Sequence, residues 1–243
     1  MRVALFISCV ADLFFPEIGE ATVKVLNRAG VKVYFPRAQT CCGQVAFNTG
    51  YQGETAHLAR HLVEVFEDAE AIVSPSGSCV AAVRKEYPHL FENDPAMLKR
   101  VERIAARTFE LSEFLVHVLR VDDLGAEWHG QVTYHDACHL TRMLGVRGEP
   151  RQLLSRVRGL EIIEMERSDW CCGFGGTFSI KMPDVSIGIL DHKLQRFQST
   201  GVNTLVTSDA ACIMNMRGYF ARINPSLRVM HFSQILASEA THG

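Results

Sequence analysis

The chain has 243 residues, 47% of them hydrophobic, which is enough for one large domain or two ordinary ones with real cores. Its 25 Lys and Arg against 27 Asp and Glu give a formal charge of -2 with no long run of either sign, which argues against an electrostatic grip on nucleic acid or anionic lipid. The apolar run from Val3 to Val10 is too short for a membrane span and is followed by Asp12 and Glu17 rather than a cleavage site, so the chain is expected to stay in the cytoplasm.

In chain order, Val3 to Ile7 has the pattern of a buried strand, and Pro16 then opens a helix. The helix keeps Ile18, Ala21, Val25, Leu26 and Ala29 on one face and stops at Gly30. A strand is expected over Val31 to Phe35, followed by the pair Cys41-Cys42 and a helical stretch through Leu58, Leu62, Val65 and Phe66. A strand at Ala71 to Val73 and a helix after Cys79 complete the series.

The second half repeats the order. A strand covers Gln131 to Tyr134, a helix lies around Pro150 to Val157, and a strand covers Leu160 to Glu164. The pair Cys171-Cys172 follows, then a helix from Val185 to Thr200 before Gly201, a strand at Thr204 to Thr207, and a helix after Cys212. The closing segments also match: ELSEFLVHVL ends the first half and HFSQILASEA the second, with Ser112 opposite Ser233 and Leu115 opposite Leu236. Alternating strands and helices imply parallel sheets. The expected fold is therefore α/β: two duplicated Rossmann-like lobes related by a pseudo-twofold axis. Residues 1–121 would form the first cysteine-rich lobe and 131–243 the second, joined near the polar stretch Asp122 to Gly130.

All eight cysteines take part in the repeat. Cys9 is followed by 31 residues, Cys41-Cys42, 36 residues and Cys79; Cys138 is followed by 32 residues, Cys171-Cys172, 39 residues and Cys212. In each half a cysteine follows the first strand, the pair follows the second and the last follows the third. The loops beyond the carboxyl ends of neighbouring parallel strands gather at one rim, so each lobe is expected to collect four thiols at one point.

Four thiolates suit a cubane iron-sulfur cluster or a tetrahedral zinc. The C-x2-C knuckle typical of structural zinc is missing from both quartets, and adjacent cysteines more easily serve two separated irons, so iron-sulfur is favoured. Zinc in one lobe stays open. Gly43 and Gly173 are expected to supply positive φ for a turn that brings backbone N–H groups near sulfur.

The stretches TCCGQVAFNTGY (Thr40 to Tyr51), SPSGSC (Ser74 to Cys79), YHDACHLTR (Tyr134 to Arg142), CCGFGGTFSIKMP (Cys171 to Pro183) and SDAACIMN (Ser208 to Asn215) resemble the CCG-type cysteine-rich proteins. That group contains the cysteine-rich component of heterodisulfide reductase and the glycolate oxidase iron-sulfur subunit, and the resemblance is greatest to the lactate-utilisation protein A family. It implies an iron-sulfur, electron-transferring component of a multi-protein system that oxidises L-lactate to pyruvate. It implies an oxidoreductase subunit that works with companion iron-sulfur and lactate-utilisation subunits rather than a self-sufficient enzyme, and a small 2-hydroxy acid bound by the complex.

The resemblance further implies one or two 4Fe-4S clusters held by Cys9, Cys41, Cys42 and Cys79 and by Cys138, Cys171, Cys172 and Cys212. The wider group's fullest motif ends in C-x-x-C, whereas this chain has Ser76 and Asp209 at the penultimate positions. A non-cubane cluster and disulfide cleavage are thereby put in doubt, and capping or hydrogen bonding is the expected role of both residues. A cluster-dependent thiol-disulfide reductase subunit and a zinc-binding scaffold stand as alternatives.

His135 and His139 flank Cys138 and are read as orienting or proton-handling residues, with a packed core histidine as the plain alternative. The GFGG run at Gly173 to Gly176 lacks the residues of a phosphate loop and is read as backbone wrapping the cluster. Arg142 and Lys181 are candidates to meet a carboxylate or an acidic partner.

Overall fold

Short β-branched runs build two sheets. In the computed structural model, which describes residues 1–239, β1 (Arg2–Leu5), β2 (Lys32–Tyr34), β3 (Ala71–Ser74) and β4 (Thr108–Glu110) form a parallel sheet in the order β2-β1-β3-β4. The second sheet, of β5 (Glu127–Tyr134), β6 (Arg158–Ile162), β7 (Thr204–Thr207) and β8 (Arg228–His231), is also parallel, in the order β6-β5-β7-β8. The two orders are the same, and the chain has the expected mixed α/β class with duplicated Rossmann-like lobes. The last part of the expected second lobe, residues 240–243, and with it the final alanine of HFSQILASEA, lies outside the described residues.

β4 and β8 add a fourth strand to each sheet beyond those read from the sequence. β5 begins at Glu127, inside the stretch read as a joint, because a register shift between Glu127 and Gly130 lets the strand continue past the glycine. The helix Pro16–Arg28 buries Ile18, Ala21, Val25 and Leu26, the face its periodicity predicts. The helix Gln52–Phe66 buries Ala59, Leu62, Val63 and Phe66 against the first sheet's Ala4 and Ile72.

The lobes share their core. Val3, Val25 and Leu26 pack in one cluster with Val132, Leu154, Phe232 and Leu236, and each such fully buried side chain contributes about 1.5–3 kcal/mol. The packing is reciprocal: the short helix Phe232–Leu236 lies against Pro16–Arg28, and Leu111–Glu113 lies against Glu149–Leu154. Arg28 completes the first contact by donating to the carbonyls of Leu236 at 2.9 Å and Ala237 at 3.0 Å, the unpaired end of the other lobe's helix. The carboxyl ends of β1 and β3, and of β5 and β7, are the points where strand order reverses, the usual place for a ligand in such sheets.

Candidate metal centres

At the reversal point of the first lobe, Cys9 opens the helix Cys9–Phe14 just beyond β1, and Cys79 lies in the first turn of Gly77–Ala81 beyond β3. Cys41-Cys42 arrive from the loop after β2. The Cys9 and Cys41 sulfurs are 3.4 Å apart, as are those of Cys42 and Cys79, far beyond the roughly 2 Å of a disulfide. Cys9 and Cys41 are half-buried, Cys42 and Cys79 fully buried.

The second lobe builds the same cage. Cys138 precedes a wide turn, His139–Met143, with π-type pairing, and Cys212 sits in the first turn of Ala210–Ile223. Cys138 and Cys171 are half-buried, Cys172 and Cys212 buried. All eight cysteines singled out in the sequence are therefore brought together as two quartets.

The adjacent cysteines converge because the next residue turns. Gly43 has φ +80° and Gly173 +76°, and their N–H groups donate back to Cys41 Sγ at 3.4 Å and Cys171 Sγ at 3.3 Å. With hydrogen bonds from Cys42, Cys9 and Gly43, Cys41 is held well below the usual thiol range; Cys171 is held down likewise by Cys138, Cys172 and Gly173. Cys42 and Cys172 move the other way, through their neighbouring sulfurs and burial. Four thiols crowded into one partly dry pocket ionise together only beside a cation. The donor set thus fits a thiophilic metal centre.

Ser76 and Asp209 are helix caps. Ser76 Oγ accepts from the Cys79 N–H at 3.4 Å, and Asp209 Oδ1 from the Ala211 N–H at 3.0 Å. Asp209 also crosses the lobes, its Oδ2 accepting from the Ser78 N–H at 3.0 Å. Both quartets face a cleft between the lobes. A cavity of about 200 Å³ there is bounded by Gln44, Val45 and Ser78 from one lobe and Cys138, Cys171 and Phe174 from the other. Gly176 of the GFGG run lies against Val45 across this cleft, so the run serves as packed backbone.

The two surroundings differ. Phe6 and His135 are equivalent, each following the central strand and donating its N–H to β3 or β7, Phe6 to Val73 at 2.9 Å and His135 to Val206 at 2.8 Å. Phe6 packs edge-on against Phe66 with centroids 5.5 Å apart. His135 is 1% exposed, and burial, helped by nearby Lys193, pushes its pKa down to about 3.

The next pair is Ile7 and Asp136. Asp136 is buried and receives two hydrogen bonds from Arg151, at 2.8 and 3.0 Å, and one from Ser168 Oγ at 2.6 Å. Burial raises the Asp136 pKa, but these bonds outweigh it and hold the carboxyl below its ordinary range.

Sequence reading missed Asp136, Arg151 and Ser168, and also Lys193. Lys193 is buried in a helix where a lysine usually faces water, and burial pulls it down to about 8; its ammonium donates to the carbonyls of Arg167 and Ser168 at 3.2 and 3.1 Å. His139 stays at the outer edge, with Nδ1 3.5 Å from Cys138 Sγ. Arg142 and Lys181 are exposed, and Arg142 donates to the Asp169 carbonyl at 3.0 Å. Among the described residues no helix is long and apolar enough to cross a membrane.

This arrangement, one thiol cage repeated in two like lobes, places the chain in the class of cysteine-rich domain proteins: the CCG cysteine-rich domain family matches residues 3–84 and again 132–217. Similarity then narrows the class. The chain is 47% identical to Lactate utilization protein A of Geobacillus kaustophilus over 97% of its length and 98% of the relative's. It is 44% identical to Lactate utilization protein A of Bacillus subtilis, over 98% of its length and all of the relative's. The chain belongs to the lactate utilization protein A family. Among solved structures, a hypothetical protein from Helicobacter pylori superposes with a TM-score of 0.67 at 9% identity, over 97% of this chain and 48% of that one, a likeness of fold alone.

Proposed function

We propose that each lobe holds a 4Fe-4S cluster on its four cysteines and that the chain is an electron-transfer component of a multi-protein system oxidising L-lactate to pyruvate. The observation that carries this reading is the pair of thiol quartets, each with a glycine N–H donated to sulfur at the strand-order reversal. A cluster supplies one-electron transfer. The protein supplies ligands, N–H to sulfur hydrogen bonds and burial, which set the potential. The family relatives' role in lactate utilization supports the substrate, and companion subunits would bind the 2-hydroxy acid and take up or hand on the electrons.

The test is iron, acid-labile sulfide and zinc in anaerobically purified protein, with EPR spectra before and after reduction. About eight irons with matching sulfide are expected, falling to about four in Cys41→Ser/Cys42→Ser and in Cys171→Ser/Cys172→Ser. Zinc in place of iron in both lobes, or no metal after anaerobic reconstitution, would overturn the electron-transfer role. Undiminished growth on L-lactate after deletion would remove the lactate assignment.

A further inference from the structure

The second lobe carries a donor that the first lacks. His135 Nδ1 lies 3.0 Å from the Ser168 carbonyl oxygen, which only accepts, so Nδ1 carries the proton and Nε2 presents a bare lone pair. That Nε2 is buried and has no hydrogen-bond partner among the described residues, an expensive state for a polar atom unless something electropositive meets it. A ring nitrogen of His135 lies within 4.8 Å of the sulfurs of Cys172 and Cys212, the two buried thiols of the quartet, which lie as close to each other, and with Nδ1 held by Ser168 the nitrogen left for them is Nε2.

A histidine that holds a metal commonly gives its other ring N–H to a backbone carbonyl, which fixes tautomer and ring orientation. The Ser168 carbonyl fills that place, and the Lys193 ammonium and the Asp136 N–H donate to the same oxygen. The unprotonated nitrogen has no hydrogen to donate to a sulfur. It can accept an S–H while the neighbouring thiols are protonated, and once Cys172 and Cys212 are thiolates on a metal its role there is ligation.

We propose that His135 Nε2 is a ligand of the metal centre in the second lobe, between Cys172 and Cys212, and that the first lobe, with Phe6 at the equivalent place, holds its centre on thiolates alone. The inference rests on the metal-centre reading above and adds that the two centres are chemically unlike. With neutral His135 in the place of one of the four thiolates assigned above, the second centre carries less negative charge than an all-thiolate one and is the more easily reduced.

The experiment uses full-length protein labelled with 15N-histidine and reconstituted with iron and sulfide, in Cys41→Ser/Cys42→Ser so that only the second centre is loaded. Pulsed EPR of the reduced centre should show strong histidine nitrogen coupling. That coupling should vanish in His135→Phe, which copies Phe6, and in His135→Asn, whose amide can still donate to Ser168. Each substitution should lower the potential, and the converse Cys171→Ser/Cys172→Ser protein should give no such coupling. A second centre with full iron and sulfide but no strong coupling, or coupling that survives in His135→Phe, overturns the inference and leaves the function standing. A second lobe that takes up neither iron nor sulfide overturns both, and the metal count tells the two failures apart.

Discussion

The two lobes share strand order, cysteine placement and the glycine turn, yet the residues just behind the thiols differ in kind. Behind the first quartet stand Phe6, Ile7 and Leu62, all apolar; behind the second stand His135, Asp136 and Lys193, with Arg151 and Ser168 tied to them. The difference teaches that duplication preserved the cage while the dielectric and charge around it diverged. A thiolate-rich centre with no cation behind it resists added negative charge, and one beside a buried ammonium tolerates it better. How deep that divergence runs is open to direct test.

The largest effect is expected where the second lobe has the Asp136–Arg151 ion pair behind its thiols and the first has Ile7 in the acid's place. Arg151→Ala leaves the Asp136 charge buried without its two guanidinium hydrogen bonds, and the cost should be about 3–5 kcal/mol, read from the shift in denaturant midpoint. The double replacement Asp136→Ile/Arg151→Leu, which makes this part of the lobe resemble the first, removes charge and partner together and should recover most of that loss. A single variant costing under about 1 kcal/mol would mean that water reaches Asp136 and that the two lobes are electrostatically more alike than their contacts indicate.

A smaller effect is expected where the lobes touch. Gly77 begins the helix that carries Cys79, and a methyl group there would sit 2.7 Å from Leu140 Cβ and 3.2 Å from Leu140 Cα. At the mirror contact the equivalent residues are Ala210 and Ala11, so one side packs a glycine against a leucine and the other two alanines. Gly77→Ala should cost about 1–3 kcal/mol by overpacking. In the presence of Leu140→Ala the same substitution should cost clearly less, a coupling of about 0.5–3 kcal/mol in the double-mutant cycle. Additive losses would show that the helix shifts freely and that the contact does not set the distance between the quartets.

Much of this was legible in the sequence. The strands β1, β3 and β7 and the buried end of β5 are short runs at the lobe centres, and the cysteine spacings lead directly to two quartets. β4 and β8, at three and four residues, are too short to show a period, and each runs straight into a helix whose signal hides it. The first and last cysteine of each quartet were expected in loops or before helices. They lie at or within first helical turns; for Cys79 and Cys212 this is because the caps Ser76 and Asp209 start the helices at Gly77 and Ala210, three residues earlier than a start just after the cysteine.

Around the thiols, His135 stood out only as a neighbour of Cys138. Its tautomer depends on a carbonyl 33 residues away, and no local pattern carries that information. Lys193 is concealed in the same way, since only the fold brings the carbonyls of Arg167 and Ser168 over a helix position that otherwise reads as solvated.

The closing helices give the finest version of the comparison. Glu110 caps Leu111–Glu113 and His231 caps Phe232–Leu236. Glu110 accepts from the Ser112 hydroxyl, while His231 Nδ1 lies 2.7 Å from Ser233 Oγ. Burial pushes the Glu110 carboxyl from 4.5 up to about 8 against the hydrogen bonds it accepts, and pushes His231 from 6.5 down to about 4. Between pH 4.5 and 8 the folded chain keeps a proton on Glu110 that the unfolded chain has lost, so stability falls as pH rises, by at most about 1.4 kcal/mol per unit. Between pH 4 and 6.5 the unfolded chain holds a proton on His231 that the folded one lacks, so stability rises with a similar limit. The two slopes oppose each other up to about pH 6.5, and Glu110 acts without that counterweight from there to about 8.

Glu86, raised by burial to about 7, adds to the decline, so the informative quantity is the difference between the wild-type and variant stability curves. Glu110→Gln should flatten the decline between pH 6.5 and 8, and His231→Gln should steepen it below 6.5, both followed by urea unfolding at stepped pH. Curves parallel to wild type in both variants would mean that the caps titrate alike folded and unfolded, and that the lobes' divergence stops at the metal centres.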